Sequence, residues 1–300
     1  MSHDFVIADV FTSSAFGGNQ LAVFPDARGL SDRAMQSLTR EFNFAESTFV
    51  LPPRDPAHAY RVRIFTPGAE VPFAGHPTVG TAAVLARLGL IELSGGTATV
   101  VLEEGVGPVR VDVQLDERVV TSRFTLERSV ERAPTAPRSE DAAAALSLPR
   151  DAVVDAWFAS AGLPFCLIRL RDQAAVDRAV LDRARWSAAF EHGWSPNLYF
   201  FAGDGPGGGA IHARMFAPAH GIVEDAATGS AAAALAGSLA EASPQQTGEL
   251  AWEVTQGVIM GRPSLIQASA EKRDGQVTRI RVGGTTVVMG TGQMTVPAGY

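Results

Sequence analysis

The amino-acid sequence predicts an α/β (α+β) fold of two similar halves, each with strands wrapped around one central helix. Three observations predict it: an internal repeat, two helices built almost wholly from small residues, and strand patterns around each of those helices. The chain has 300 residues, of which 46% are hydrophobic. That is enough to bury the core of one large domain or of two ordinary ones.

The repeat relates residues 41–86 to residues 195–236. At an offset of 151, Phe49 matches Phe200 and Arg63 matches Arg214, and after a slip of two residues Gly80 matches Gly229. Both copies have the order strand, turn, strand ending in Phe-x-Pro, loop and small-residue helix. We therefore interpret the chain as two pseudo-symmetric halves, because the period is too long for a solenoid.

The first half begins with strands FVIADVF (5–11) and QLAVFPD (20–26). An amphipathic pattern predicts a helix over 31–42 with Ser31 as its N-cap. Strands STFVLPP and YRVRIFTP follow. A helix is predicted over 77–88, with Pro77 in its first turn and Gly89 after its end. Alternation of apolar and polar residues over 97–117 predicts a pair of strands.

The second half contains a short helix within ERAPTAPRSEDAAAALSLP, a strand LPFCLIRL and a helix AAVDRAVLDRARWSAAF. Strands NLYFFAG and AIHARMF flank GDGPGGG, which is a hairpin tip rather than a dinucleotide fingerprint because it joins two strands. A second small-residue helix is predicted over 228–240. The remainder is four strands: LAWEVTQG, SLIQASAEK, VTRIRVGG and TTVVMGTGQMTV.

Composition excludes several function classes. The net charge is −7 with no block of like charge, which argues against a nucleic-acid partner. The single lysine, Lys272, lies in the charged turn EKRDG, a poor setting for a Schiff base. No apolar run reaches the roughly 18 residues that span a bilayer. The single cysteine, Cys166 in GLPFCLIRL, indicates a buried thiol, and with the absence of a signal-peptide pattern it predicts a cytoplasmic protein.

The starts of the two small-residue helices are the first candidate site. The first copy presents Gly75, His76 and Thr78, and the second presents Asp225 and then Thr228, Gly229 and Ser230. Unpaired N–H groups and the dipole make a helix N-terminus attractive to anions. Two such ends facing one cleft would bind a small carboxylate.

Each of these residues also has a purely structural interpretation. Asp225 can be an N-cap, although a cap requires only one acidic residue and Glu224 lies beside it. Ser230 and His76 can be structural polar residues whose hydrogen bonds are made within the fold. Thr78 and Thr228 fit caps better than reactants.

Glu46 is the remaining candidate. It lies in NFAESTFVLP, between a helix and an apolar strand. Flanking by Phe44 and Phe49 would raise the pKa of its carboxyl, which suits proton transfer. A solvated strand-end glutamate is the alternative.

Metal and nucleophile motifs are weak. His212 and His220 are eight residues apart, with no HExxH pair, so no metal site is predicted. Ser230 is not in a G-x-S-x-G elbow.

Several segments resemble signatures of the PhzF family of phenazine-biosynthesis-like proteins: DVFTSSAFGGNQLAVF, FAESTFVL, FAGHPTVGTA, EDAATGSAAAALA and QGVIMGRPS. The resemblance implies a diaminopimelate epimerase-like fold, with a mostly antiparallel sheet around a central helix in each half and the active site between the halves. The strand pattern divides the chain into halves of 1–118 and 119–275, and the resemblance implies that strands over 276–300 return to the first half.

The resemblance also implies a cofactor-free isomerase similar to trans-2,3-dihydro-3-hydroxyanthranilate isomerase. Glu46 corresponds to the glutamate that moves the proton, and His76, Asp225 and Ser230 to its supporting residues. Substrate contacts are expected at Gly75, Thr78, Thr228 and Gly229. The expected partner is a small anionic metabolite, and the expected assembly is a homodimer.

Relatives of the same fold that racemise through two cysteines are disfavoured, because neither helix start has a cysteine. Two alternatives stay open: a non-catalytic binding or scaffold protein, and an epimerase of amino or hydroxy acids. Arg262 in GRPS can pair with a carboxylate or support its strand.

Overall fold

The computed structural model describes residues 2–117, 119–297 and 299–300. The chain divides into two compact units, residues 1–125 with 283–300 and residues 126–282. The chain passes from the first unit to the second after residue 125 and returns to the first at residue 283. Both boundaries lie later in the sequence than the expected ones, at 118 and 276. Arg118, at the expected end of the first half, lies outside the described residues.

The first unit is built from strands and two helices. They are β1 (Ser2–Val10), β2 (Asn19–Phe24), α1 (Asp32–Phe42), β3 (Glu46–Leu51), β4 (Tyr60–Phe65), β5 (Glu70–Val71), α2 (Gly75–Arg87), β6 (Thr97–Glu104), β7 (Gly107–Asp116) and β8 (Val119–Leu126). Ser31 caps α1 as predicted, since its side chain accepts from Ala34 N at 3.1 Å. Gly89 follows α2 with φ +71°, so the predicted stop is also confirmed.

The second unit has four helices and its own strands. They are β9 (Glu131–Arg132), α3 (Ser139–Ala145), β10 (Val153–Ser160), β11 (Pro164–Leu170), α4 (Gln173–Arg178), α5 (Arg183–Ala189), β12 (Leu198–Gly203), β13 (Gly209–Ala217), β14 (Ile222–Asp225), α6 (Gly229–Ala242), β15 (Gly248–Gln256) and β16 (Ser264–Arg273). The last strand, β17 (Gln276–Thr295), contributes residues to both units.

The repeat is visible in the strand pairing of the two units. In the first, β2–β3 is parallel, β3–β4 antiparallel, β4–β6 parallel and β6–β7 antiparallel. In the second, β11–β12, β12–β13, β13–β15 and β15–β16 follow the same alternation. Each parallel step needs a crossover. In the first unit α1 connects β2 to β3 and α2 connects β4 to β6; in the second, α4 and α5 connect β11 to β12 and α6 connects β13 to β15. In the first unit, β17 pairs with both β1 and β8, so the strands close around α2.

The two small-residue helices are the buried centres of their units. Residues 75–86 of α2 and 229–240 of α6 are buried on every side. Small side chains allow this close approach: a Cβ at Gly80 would lie 2.6 Å from Cγ2 of Val10 and 2.7 Å from Cδ2 of Leu21. On the other face of the first sheet, α1 packs Met35 and Leu38 onto an aromatic cluster.

Two predicted elements are wrong in detail. The helix expected over residues 174–190 is two helices, because Val180 N and Asp182 N donate to the carbonyls of Leu146 and Ala145 and Asp182 then caps α5. The two expected C-terminal strands are one continuous strand, β17. Among the described residues, no helix is long and apolar enough to cross a membrane.

Candidate active site

Glu46 and His76 are brought together in the first unit. Glu46 begins β3, and its Oε2 lies 3.5 Å from Nε2 of His76, with side chains only 15% and 4% exposed. Two residues along β3, Thr48 contacts Thr81 of α2 through their hydroxyls at 2.8 Å. Because alternate strand residues share a face, Glu46 and Thr48 both point toward the central helix.

Phe49 lies on the opposite face of β3 from Glu46. It stacks on Phe24 at 4.8 Å between ring centroids and meets Phe65 edge-on at 5.4 Å. The expectation that Phe49 flanks Glu46 is therefore wrong, since residues three apart on a strand face opposite ways. The raised pKa expected for Glu46 loses that support and stays a prediction.

His76 is a buried, neutral imidazole. Burial lowers the pKa of His76 to about 3, outweighing a backbone hydrogen bond at Gln20 that acts in the opposite direction. Its Nδ1 lies 3.2 Å from Nδ2 of Asn19, the first residue of β2. Asn19 was missed from sequence; the only signal was its place in GGNQ, at the start of a strand.

Thr78, in the first turn of α2, makes a buried contact with Glu104 of β6. Its Oγ1 is 2.8 Å from the carbonyl oxygen of Ala74 and 2.7 Å from Oε1 of Glu104. A hydroxyl has a single hydrogen. Thr78 donates to Glu104, and the Ala74 carbonyl also accepts from the backbone N–H of Thr78 at 3.2 Å. Burial raises the pKa of Glu104 to about 8, more than the bond from Thr78 lowers it.

In the second unit, Asp225 ends β14 and is held against the start of α6. Its Oδ2 accepts a 2.6 Å hydrogen bond from Oγ1 of Thr228. Gln256 joins the same segment: its Nε2 lies 2.9 Å from both the Asp225 carbonyl and Thr228 Oγ1, and its Oε1 accepts from Thr228 N at 3.2 Å. Gln256 was missed as a single residue, although it opens the segment QGVIMGRPS.

The turn after Gln256 closes tightly over the same loop. Gly257 has φ +73°, and a Cβ there would lie 2.4 Å from the carbonyl oxygen of Arg262 and 2.6 Å from that of Ala226. Ser264 Oγ lies 3.0 Å from the Ala226 carbonyl. The loop before α6 is therefore held by β15 and β16. For Arg262, the described contact is its N–H to Gly257 O at 3.0 Å, and its role stays open.

Tyr199 is a third residue that sequence reasoning missed. On paired strands β12, β13 and β14, Tyr199 is opposite Met215, which is opposite Asp225. The Tyr199 hydroxyl is buried without a hydrogen-bond partner among the described residues. Burial, followed by the nearby Asp225 charge, raises the pKa of Tyr199.

In the part of the chain that the structure describes, the two helix starts both lack a side-chain cap but place their candidate residues differently. Within the described residues, neither Ala74 before α2 nor Thr228 before α6 makes a side-chain cap bond to its helix. His76 lies inside the first turn of α2, whereas its repeat partner Asp225 lies in an extended strand before α6. Gly75 and Gly229 are the first residues of their helices, and Ser230 is buried in the first turn of α6.

Other chemistries find little support in the geometry. Cys166 is buried in β11 and burial raises the pKa of its thiol, so it is unsuited to proton exchange at neutral pH. His212 is paired with Asp177 at 2.7 Å. No group of three His, Cys, Asp or Glu side chains suited to a metal ion occurs in the described part of the chain.

Residues 8–292 match the family described as phenazine biosynthesis-like protein, PhzC-PhzF. The chain belongs to the PhzF family. A trans-2,3-dihydro-3-hydroxyanthranilate isomerase from Pseudomonas chlororaphis is 39% identical over 97% of this chain and 98% of its own length. A protein from Mesorhizobium japonicum described as an uncharacterized isomerase is 38% identical over 98% of this chain and 99% of its own length.

Solved structures agree with the family fold. A protein from Pseudomonas aeruginosa described as a predicted epimerase superposes with a TM-score of 0.82 at 28% identity, covering 98% of this chain and all of that one. A probable proline racemase from Agrobacterium radiobacter superposes with a TM-score of 0.65 at 14% identity, covering 98% of this chain and 93% of that one, which shows the fold alone. The expected family, fold class and enzyme class, isomerase, are confirmed.

Proposed function

We propose that this PhzF-family protein is a cofactor-free isomerase that moves a proton between carbon positions of a small carboxylate-bearing substrate such as trans-2,3-dihydro-3-hydroxyanthranilate. Glu46 is the general acid and base. The observation that carries the proposal is the contact between Glu46 Oε2 and Nε2 of the neutral, buried His76 at 3.5 Å.

A shuttling carboxyl must exist in both protonation states during one turnover. An imidazolium beside Glu46 would hold it as a carboxylate, because an adjacent opposite charge lowers a carboxyl pKa. Burial keeps His76 uncharged, so it can orient Glu46 without trapping it in one state. A neutral neighbour therefore suits proton return as well as proton removal.

Asn19 Nδ2 lies 3.2 Å from Nδ1 of His76, and which group donates depends on the tautomer of the ring. In the proposal Asn19 donates to Nδ1, and the hydrogen of the neutral ring lies on Nε2, the nitrogen that faces Glu46. That hydrogen stabilises the Glu46 carboxylate formed when a carbon-bound proton is taken. Asn19 is thus a positioning residue in the proposal.

The first turn of α2 supplies the remaining chemistry in the first unit: the amide N–H groups of Gly75 and His76 are the candidate donors to the carboxylate of the substrate. In the second unit, the amides of Gly229 and Ser230 form an equivalent candidate anion site. Asp225, fixed by Thr228 and Gln256, is the candidate to accept a hydrogen bond from a substrate amine or hydroxyl.

The test is turnover of trans-2,3-dihydro-3-hydroxyanthranilate in deuterium oxide, followed by mass spectrometry and proton NMR. We expect deuterium at a ring carbon of the product. Glu46→Gln should lower the rate by about a thousandfold, since general acid–base catalysis contributes factors of that order. Glu41→Gln, the same change at an exposed position of α1, should not alter the rate.

The alternatives have different outcomes. Binding of the compound without solvent exchange in the wild type would indicate a non-catalytic binding protein. Inversion of a stereocentre without migration of the proton would indicate an epimerase. Full turnover by a folded Glu46→Gln variant would refute the assignment of Glu46.

A further inference from the structure

A polar cavity opens in the first unit, and neither Glu46 nor His76 is among its lining residues. It has a volume of about 410 Å³ and is lined by residues of β4, β5, the start of α1 and the turns after β3 and β6: Asp32, Arg54, Arg61, Val62, Arg63, Glu70, Val71, Glu103, Glu104 and Gly105. None of the predicted site residues is among them. The lining is mostly ionisable.

Three of its acidic side chains are already engaged. The guanidinium of Arg63 donates to both carboxylate oxygens of Glu70, at 2.8 and 2.6 Å, and to Oδ1 of Asp32 at 2.5 Å. Glu103 accepts from the backbone N–H groups of Arg54 and Asp55 at 2.7–3.0 Å. The carboxylates of Asp32, Glu70 and Glu103 therefore already accept hydrogen bonds from groups of the same unit.

The fourth acid, Glu104, accepts a hydrogen bond from Thr78 at 2.7 Å and is buried, and burial raises its pKa to about 8. Glu104 therefore adds little negative charge to the cavity at neutral pH.

Two arginines remain, of which Arg54 is exposed. The hydrogen bond from Arg63 lowers the pKa of Asp32 most, and Arg61 lies near enough to that carboxylate to lower its pKa further. The guanidinium groups of Arg54 and Arg61 have no hydrogen-bond or ion-pair partner in the described part of the chain, and Nε of the half-buried Arg61 is shielded from solvent. A guanidinium that is partly desolvated without an acceptor is costly, and its planar fork matches a phosphate or carboxylate.

We propose that this cavity binds an oxyanion, the phosphate or carboxylate group of a small metabolite, through Arg61 and Arg54. A volume of about 410 Å³ suits a small metabolite rather than a macromolecule. Binding at this cavity is independent of the proposed isomerase reaction.

The test is isothermal titration of the full-length protein with inorganic phosphate and, separately, with malonate, in chloride buffer of constant ionic strength. We expect saturable binding of at least one anion, with a Kd of about 1 mM or tighter. Arg61→Gln and Arg54→Gln should each weaken binding by about tenfold or more. Arg183→Gln, at an exposed position of the second unit, is the matched control and should bind as the wild type.

Glu46→Gln separates this cavity from the proposed catalytic site. The proposal requires Glu46→Gln to retain anion binding. Loss of binding in Glu46→Gln with retention in Arg61→Gln would place the anion at the catalytic residues and overturn it. So would an absence of saturable binding by both anions, or unchanged binding in folded Arg61→Gln and Arg54→Gln. Binding of phosphate alone or of malonate alone would identify the group that the cavity selects.

Discussion

Oγ1 of Thr78 donates a hydrogen bond to Oε1 of Glu104 across 2.7 Å. The first turn of α2, which also carries His76, is therefore joined to β6 through a buried carboxyl whose pKa burial raises to about 8. A buried acid of this kind makes the stability of the fold depend on pH.

We expect Glu104 to destabilise the fold as the pH rises. Its pKa is about 8 in the folded chain against an ordinary 4.5. The folded state therefore retains a proton that the unfolded state loses, and stability declines between these pH values by a few kcal/mol, on the order expected from the shift. Glu104→Gln should remove this decline and be more stable than the wild type at pH 8, measured by urea unfolding across pH. Glu92→Gln, at an exposed position, should retain it; an unchanged profile in Glu104→Gln would contradict the neutral acid.

The opposite dependence is expected from His76. Its pKa falls to about 3 from an ordinary 6.5, so the unfolded chain takes up a proton that the folded chain refuses, and stability decreases as the pH falls from 6.5 toward 3. In an NMR titration of labelled histidines, the His76 ring should remain neutral between pH 5 and 8. The His76→Gln variant identifies its signal. A midpoint near 6.5 for that signal would rule out the neutral imidazole.

Gln256 is predicted to hold the loop before α6. Gln256→Leu removes the partners of the Asp225 carbonyl and of the Thr228 N–H. Buried groups left unpaired cost about 1–3 kcal/mol each, so we expect a loss of that size in urea unfolding, together with lower turnover. Gln267→Leu makes the same change at an exposed position of β16 and should be nearly neutral. Equal stability of the two variants would show that the Gln256 contacts contribute little.

Gly257 and Gly261 form a matched pair for separating backbone strain from steric contact. Both have positive φ, +73° and +71°, but a Cβ at Gly261 meets nothing within 4 Å, whereas one at Gly257 lies 2.4 Å from a carbonyl oxygen. Gly261→Ala should cost about 1 kcal/mol from conformation alone. Gly257→Ala should cost clearly more and also reduce activity, because Ala226 must move. Differential scanning calorimetry and turnover provide both readouts; similar losses would show that the loop relaxes around the methyl group.

Local signals in the sequence were sufficient for much of the fold. Ser31 before an amphipathic pattern predicted the cap of α1, and Gly89 predicted the end of α2. Helices without large or charged side chains were expected to be buried on all sides, and α2 and α6 are. The repeat indicated a common strand order, which both units have.

Periodicity failed where distant contacts decide the backbone. The residues around Val180 read as helix, but their N–H groups are taken by carbonyls at the end of α3. Likewise, Gly283 and Gly284 suggested a break between two strands. The chain stays extended through both glycines. A Cβ at Gly283 would lie 2.6 Å from Ser122 O, so glycine allows the close pairing at this position.

The sequence by itself determined the two-half architecture, the family and the residues at each helix start, because these depend on local pattern and on an internal repeat. Only the tertiary structure decided that Phe49 faces away from Glu46, that Asn19 contacts His76 and that Gln256 holds Asp225. Only there, too, does Glu104 accept a hydrogen bond from Thr78, while Arg54 and Arg61 line a cavity in the first unit. The physical reason is that hydrogen-bond partners and desolvation depend on side chains far apart in the chain, which no local pattern records.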